Sequence, residues 1–309
     1  MRAMILAAGL GTRLRPVTDT IPKPLLPVVG VPNIVLTISR LRKAGIREIV
    51  INTHWLKERL KSHLGDGSRY GVAIAYSDEE KALLGTGGGI RNALPLLGDD
   101  DFIVVNGDAL FAPDLEAAVS FHHQKKAHAT LIVRSDPKAE QYGAVGFDTA
   151  GRVRKLVYGG RHHADLTYDM FTGVHIISKQ VCERLPSNGC IVRNTYIPMV
   201  EEGAPIFALE MDGYFCDLGT VGRYLSANSA LITQEESIPD IPIPSNGIFI
   251  GADCRIDSRA TLSLGTIICD HVVIEGAVHI ERSIILENGR VNQSISNAVV
   301  TSEGVIVPG

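Results

Sequence analysis

The sequence predicts an α/β fold: a mixed, mostly parallel sheet with helices on both faces, followed by a short C-terminal left-handed parallel β-helix. Three observations carry that prediction. Up to about residue 135, short apolar runs alternate with stretches whose apolar residues recur at helical spacing, the rhythm of βαβ units. From about 140 to 215, strand-like runs are separated by turn residues. Beyond a proline-rich stretch, Ile250, Ile256, Leu262, Ile268, Ile274, Ile280 and Leu286 follow one another at intervals of six. That is the period of hexapeptide repeats, which wind such a β-helix with one aliphatic stacked inside per face.

The first apolar run, Met4 to Ala8, is a short buried strand that stops at Gly9-Leu10-Gly11. A backbone so poor in side chains turns tightly and lets a ligand come close. Arg13 and Arg15 follow, then Lys23 between Pro22 and Pro24, whose fixed φ angles stiffen the segment that presents it. Backbone N–H groups with three fixed cations suit a multiply charged anion such as a phosphate chain. The third glycine of the dinucleotide fingerprint is missing, and no Walker loop occurs.

Next, residues 33–44 have helical spacing with Gly45 as cap, 48–52 form a strand, and 55–64 a helix ending at Gly65. Strands follow at 73–76, 102–105 and 129–134, with a helix at 115–126 between the last two. In such sheets ligands bind beyond the carboxyl ends of the strands, where the loops after Ala8 and Val105 lie. Strands at 144–147, 153–157, 173–177 and 206–211 precede a helix at 221–234. The expected division is a catalytic domain over 1–236, a semi-rigid linker over 237–245 containing Pro239, Pro242 and Pro244, and a tail over 246–309. At about eighteen residues per coil the tail makes roughly three coils.

Net charge is −4, which disfavours a nucleic-acid partner bound through a general basic field. The five cysteines are scattered and lack C-x-x-C spacing, which fits a reducing cytoplasm and argues against zinc. The apolar run after Arg2 is too short for a signal peptide, and none approaches the ~18 residues of a membrane helix, so a cytoplasmic location with no membrane partner is expected.

Asn106-Gly107-Asp108 places a carboxylate at a strand's carboxyl end, although the same residues make an ordinary turn. Asp217, in Gly213–Thr220, is either a second site carboxylate or an acidic residue near a helix N-terminus. Leu84–Ile90 contains three consecutive glycines, which cost backbone entropy if ordered, so the stretch is either held close to a ligand or a flexible loop opening the helix that runs toward Leu96. His122-His123 and His162-His163 have no metal-site spacing and are expected at the surface.

The strings G-x-G-T-R-L-R-P and P-K-P-L-L-P resemble the signature of the sugar-1-phosphate nucleotidyltransferases, the NDP-sugar pyrophosphorylases. The resemblance implies a Rossmann-like sheet and transfer of a nucleotidyl group from an NTP to a sugar 1-phosphate, releasing pyrophosphate. It implies that Ala7, Ala8, Gly9, Gly11, Thr12, Arg13, Gly85 and Thr86 bind the nucleotide. Lys23, Tyr142, Gly143, Thr172 and Gly173 would bind the sugar phosphate, and Asp108 and Asp217 would hold Mg²⁺. Arg13 and Lys23 are the implied catalytic residues. Glycine at the usual alanine position of the Gly85–Gly89 loop resembles the N-acetylmuramate-1-phosphate uridylyltransferase branch, and in motif form the sequence is similar to that type and to the mannose-1-phosphate guanylyltransferase type. Either Glu79 or Glu80 would read the base. The family's E-K-P is absent; Arg154-Lys155-Leu156 and Tyr158-Gly159-Gly160 stand there, so the sugar contact made by that glutamate has no counterpart. Two other readings are a catalytically silent subunit, against which intact Arg13, Lys23, Asp108 and Asp217 argue, and a bifunctional enzyme using His271 or His279 for acyl transfer. Homo-oligomerisation through the tail is expected.

Overall fold

The computed structural model describes residues 1–136, 139, 143–157, 165–238, 241 and 243–309. The chain folds into two compact units. The first comprises Met1–Gly9, Ile38–Gly107 and Pro113–Gly213; the second comprises Leu10–Thr37, Asp108–Ala112 and Tyr214–Gly309.

The first unit is built on a mixed sheet. Its strands run in the order Val153–Val157, Ala144–Phe147, Thr167–Ile177, Phe102–Asn106, Arg2–Leu6, Glu48–Thr53 and Ala73–Asp78. Ala129–Arg134 branches off Thr167–Ile177 and pairs in turn with Ile206–Glu210. Pairing is parallel from Phe102–Asn106 through Ala73–Asp78, and antiparallel on every partner of Thr167–Ile177. Consecutive residues Ala3, Met4 and Ile5 are fully buried, as are Ile103 and Val104, so these strands are covered on both faces. Helix Gly85–Leu97 packs Ile90, Ala93 and Leu97 against Met4, Val50 and Val104. The predicted caps hold: Gly45 has φ 80°, and Gly65 donates to the Lys61 carbonyl at the end of helix Lys57–Leu64.

The second unit gathers segments from both ends of the chain. Helix Val221–Ile232 lays Tyr224, Leu225 and Leu231 into one core with Leu14, Leu26 and Ile267. The proline-rich segment contributes Ile238 and Ile241 to this core, so it is packed rather than a free spacer; Pro239 and Pro242 lie outside the described residues. Beyond it the tail is a parallel β-helix of three stacked strand columns. Register pairs Ile250 with Ile268, Ile256 with Ile274, and Leu262 with Ile280, one coil of the predicted period. The rhythm then shortens. Ile268 pairs with Ile285, not Leu286, and Ile280 with Ile295. Ile285 therefore fills the β-helix interior, while Leu286 points into the core shared with helix Val221–Ile232. Ile250, expected inside, is 48% exposed because the first coil has a neighbour on one side only. Stacking continues to Val300, and Ile306–Pro308 closes the last coil antiparallel to Ala298–Val300.

Candidate active site

Asp108 and Asp217 are brought together by a two-residue antiparallel ladder, Ala109–Leu110 with Cys216–Asp217. Asp217 sits opposite Ala109, and the Leu218 amide donates to the Asp108 carbonyl at 3.2 Å. Helix Val221–Ile232 starts just beyond, where Thr220 accepts from the Arg223 amide as N-cap. That start turns the Arg223 guanidinium back onto Asp217 Oδ2 at 2.9 Å.

Lys23 lies in a 3₁₀ turn, Lys23–Leu25, and is 7% exposed. Its ammonium donates to Asp108 Oδ2 at 2.6 Å and approaches Asp217 Oδ1 at 3.5 Å. A cation so enclosed needs its charge met, and the two carboxylates meet it. Arg13, by contrast, is exposed and makes no ion pair among the described residues. Gly219 joins it to the cluster: a side chain there would meet Arg13 Nη2 and Asp217 Oδ1 each at 2.8 Å. The bare glycine face keeps open the space beside a guanidinium and a carboxylate. Gly11, at φ 64°, packs beneath Thr18, which donates to its carbonyl at 2.8 Å.

In the first unit, Ala7 and Ala8 are buried and the Ala7 amide donates to Asn52 Oδ1 at 2.7 Å. Gly9 is different from Gly11: nothing in the protein lies within 4 Å of where its Cβ would stand. Leu84–Ile90 is not a loose loop but the first turn of helix Gly85–Leu97. The added Cβ atoms of Gly85, Gly87 and Gly88 would stand 2.6 to 2.8 Å from Gly189, Pro186 and Ser187, respectively. The protein itself occupies the space a side chain would need at these glycines. Thr86 accepts from the Ile191 amide at 2.9 Å.

Gly143 and Gly173 have φ 97° and 79°, and a Cβ on Gly173 would meet Asn106 Nδ2 at 2.2 Å. Thr172 is fully buried and donates to the Ile132 carbonyl at 2.8 Å, so its hydroxyl serves the sheet. Gly143, Val145, Leu156 and Phe171 line a small cavity. Tyr142 lies outside the described residues, as do Tyr158-Gly159-Gly160 and His162-His163. Where E-K-P is missing, Arg154 pairs with Asp148 at 2.7 Å.

The family model for nucleotidyl transferases matches residues 2–234. The chain belongs to the nucleotidyl transferase family. A UTP–glucose-1-phosphate uridylyltransferase of Synechocystis is 33% identical over 303 residues, 94% of this chain and 76% of that protein. An N-acetylmuramate α-1-phosphate uridylyltransferase of Neisseria meningitidis is 40% identical over 243 residues, 74% of this chain and 97% of that protein. A solved structure of a Bacillus anthracis protein assigned as a glucose-1-phosphate thymidylyltransferase, in complex with a sucrose, superposes with a TM-score of 0.67 at 25% identity. It covers 79% of this chain and 98% of that one. The mixed sheet is thus the nucleotidyltransferase sheet, and this chain is an enzyme of that class.

Two expectations for this nucleotidyltransferase are corrected by the geometry. Of the two glutamates upstream of Gly85, Glu79 is not presented for base reading, being 3% exposed with both oxygens bonded inside the protein, whereas Glu80 is exposed and pairs with Lys57 at 2.6 Å. His122 is not a surface residue. It is 1% exposed, with Nδ1 at 2.8 Å from Thr130 Oγ1, and burial lowers its pKa against the pull of Asp101. Arg223 was missed, because an arginine in a helix's first turn carries no sequence signal until Asp217 is placed beneath it. His175, fully enclosed, bonds through Nδ1 to the Tyr196 hydroxyl, and burial takes its pKa down to about 3. His271 and His279 of the tail are exposed; His279 contacts Thr261 and Ser263. Among the described residues, no helix is long and apolar enough to cross a membrane, and no group of three His, Cys, Asp or Glu side chains could hold a metal.

Proposed function

We propose that this nucleotidyltransferase joins the nucleotidyl group of an NTP, UTP first among the candidates, to a sugar 1-phosphate. The observation that carries the reading is Lys23 Nζ between the carboxylates of Asp108 and Asp217, with Arg13 and Asp217 flanking the open face of Gly219. The uridylyltransferase relatives at 33% and 40% identity support the choice of UTP.

The chemistry of the donor set suits a divalent cation. Two aspartate oxygens converge on one ammonium, and Mg²⁺ takes one or two carboxylates with phosphate oxygens and waters. Asp108 and Asp217 would hold Mg²⁺, which when bound neutralises charge on the phosphates. Arg223 orients Asp217 for that task through its bond to Oδ2.

The reaction is in-line attack of the sugar phosphate oxygen on the α-phosphorus of the NTP, forming a new P–O bond as the bond to pyrophosphate breaks. The nucleophile is already an anion, so no general base is required, and the protein positions and neutralises. Arg13 binds the triphosphate and stabilises the leaving pyrophosphate, with Gly11 and Thr12 supplying backbone contacts. Lys23 faces the α-phosphate and the acceptor phosphate, countering repulsion between two anions. From the family resemblance, Ala7, Ala8, Gly9, Gly85 and Thr86 would contact the nucleotide, and Tyr142, Gly143, Thr172 and Gly173 the sugar, with the Thr172 hydroxyl committed inward.

Catalysis belongs to residues 1–236, in a cytoplasm that keeps all five cysteines as the free thiols seen here. The tail from 246 carries self-association, supported by Ile250, Leu264 and Val305, each more than 40% exposed on it. Pyrophosphate release tests the assignment: Arg13→Ala and Asp108→Asn should each lose about 10²–10³ in turnover with an unchanged circular dichroism spectrum. Near-wild-type release from both variants would refute it.

A further inference from the structure

We propose that Glu79 and Asn52 form a strut that sets the spacing between the Ala7–Gly9 turn and the start of helix Gly85–Leu97, and so governs NTP affinity without touching the NTP. The inference rests on the assignment of those two segments to the nucleotide. Three hydrogen bonds in series make the strut. The Ala7 amide donates to Asn52 Oδ1, Asn52 Nδ2 donates to Glu79 Oε1, and the Leu84 amide donates to Glu79 Oε2, each at 2.7 Å. Both side chains are 3% exposed, so water does not compete for these groups.

Each end is anchored in the sheet. Asn52 stands beside Leu6 in the parallel register, one residue before the turn that Ala7 opens. Glu79 donates its amide to the Thr53 carbonyl at 2.9 Å, and its own carbonyl lies 2.6 Å from His54 Nδ1. From the helix side, Gly89 bears on the strut: a Cβ there would stand 2.7 Å from Glu79 Oε1 and 2.9 Å from Asn52 Nδ2. The third glycine of the run is therefore matched to the strut and not to a ligand. Because Glu79 spends both oxygens on N–H donors inside the protein, it is a positioning residue for the nucleotide segments.

The donor–acceptor order makes the strut testable by exchange. In Glu79→Gln one amide N–H₂ must face a donor, and in Asn52→Asp two carboxylates face each other. In the double variant all three bonds return: the new carboxylate at position 52 accepts from the Ala7 amide and from the glutamine N–H₂, whose carbonyl accepts from the Leu84 amide. Initial rates of the full-length protein with UTP, Mg²⁺ and glucose 1-phosphate are measured for each. Each single variant should raise KM for the nucleotide about tenfold or more, leave KM for the sugar phosphate within about twofold, and the double variant should restore the nucleotide KM. Gly89→Ala, which presses on the strut without removing a bond, should move the nucleotide KM in the same selective way and stands in where a single variant does not fold. Equal rises in both KM values, or single variants that change only thermal stability, would overturn the strut. Wild-type protein that binds none of UTP, GTP, dTTP and CTP by calorimetry would instead overturn the nucleotide assignment, and the strut's role with it.

Discussion

The glycine-rich helix start of the first unit and the charged cluster of the second are both motif-dense, yet they are built on opposite terms. Around Gly85–Gly89 the protein itself fills the space a side chain would need, and polar groups such as the Thr86 hydroxyl and the Glu79 carboxylate are bonded internally. Around Lys23 the groups are held against one another instead: an ammonium on two carboxylates, one of which also takes Arg223, with Arg13 and the bare Gly219 alongside. The first arrangement is finished as it stands. The second is a balance of charge that a phosphate and a cation would rearrange, because their charges compete directly for the same partners. A motif's glycine or cation is thus read correctly only when it is known which of these two it belongs to.

Removing charge from the unfinished region should have the largest effect. Lys23→Met is expected to reduce turnover by about 10²–10³, and because it also leaves two carboxylates without their shared cation, Mg²⁺ should raise the variant's melting temperature more than the wild type's. A variant with near-normal turnover would break the comparison. Adding volume to the finished region should act on stability. Gly88→Ala puts a methyl 2.8 Å from the Ser187 carbonyl oxygen and should destabilise by about 1–3 kcal/mol. Gly9→Ala meets nothing within 4 Å and should stay within about 0.5 kcal/mol while weakening nucleotide binding. Chemical denaturation of both variants, read beside nucleotide titration, checks that split.

The smallest effect is a slope with pH. His122, His128 and His175, all in the first unit, have pKa values lowered by burial, and His175 stays neutral down to about 3. Below about pH 6.5 the unfolded chain takes up protons that the folded chain refuses. Stability therefore falls as pH is lowered, by up to about 1.4 kcal/mol per pH unit for the fully enclosed His175. Urea midpoints at pH 7, 6 and 5 that do not decline would contradict the buried placement of His122 and His175.

Much of the fold was legible in order. The strands at 129–134, 144–147 and 153–157 and the cap at Gly45 coincide with the sequence expectation, because period and capping chemistry are local properties. The β-helix rhythm was legible for the same reason up to Ile280. It was misread at Leu286 because an aliphatic pair, Ile285-Leu286, sits where the coil shortens, and only the stacked neighbour tells which member points inward. His122 was misjudged because a His-His pair looks polar in sequence, whereas its helix face is set by what packs beneath it.

By itself the sequence determined the chemistry on offer. A side-chain-poor turn with Arg13 and a clamped Lys23 points to a multiply charged anion from local residue types, whereas Asp108 and Asp217 are singled out only by the family resemblance. Tertiary structure alone decided the partnerships. Lys23 reaches Asp108 across 85 residues and Asp217 across 194, through a ladder only two residues long. Glu79 became a buried tie and not a base contact for the same physical reason. Hydrogen bonds and ion pairs act over a few ångströms, and which groups come that close is settled by packing, which no spacing along the chain records.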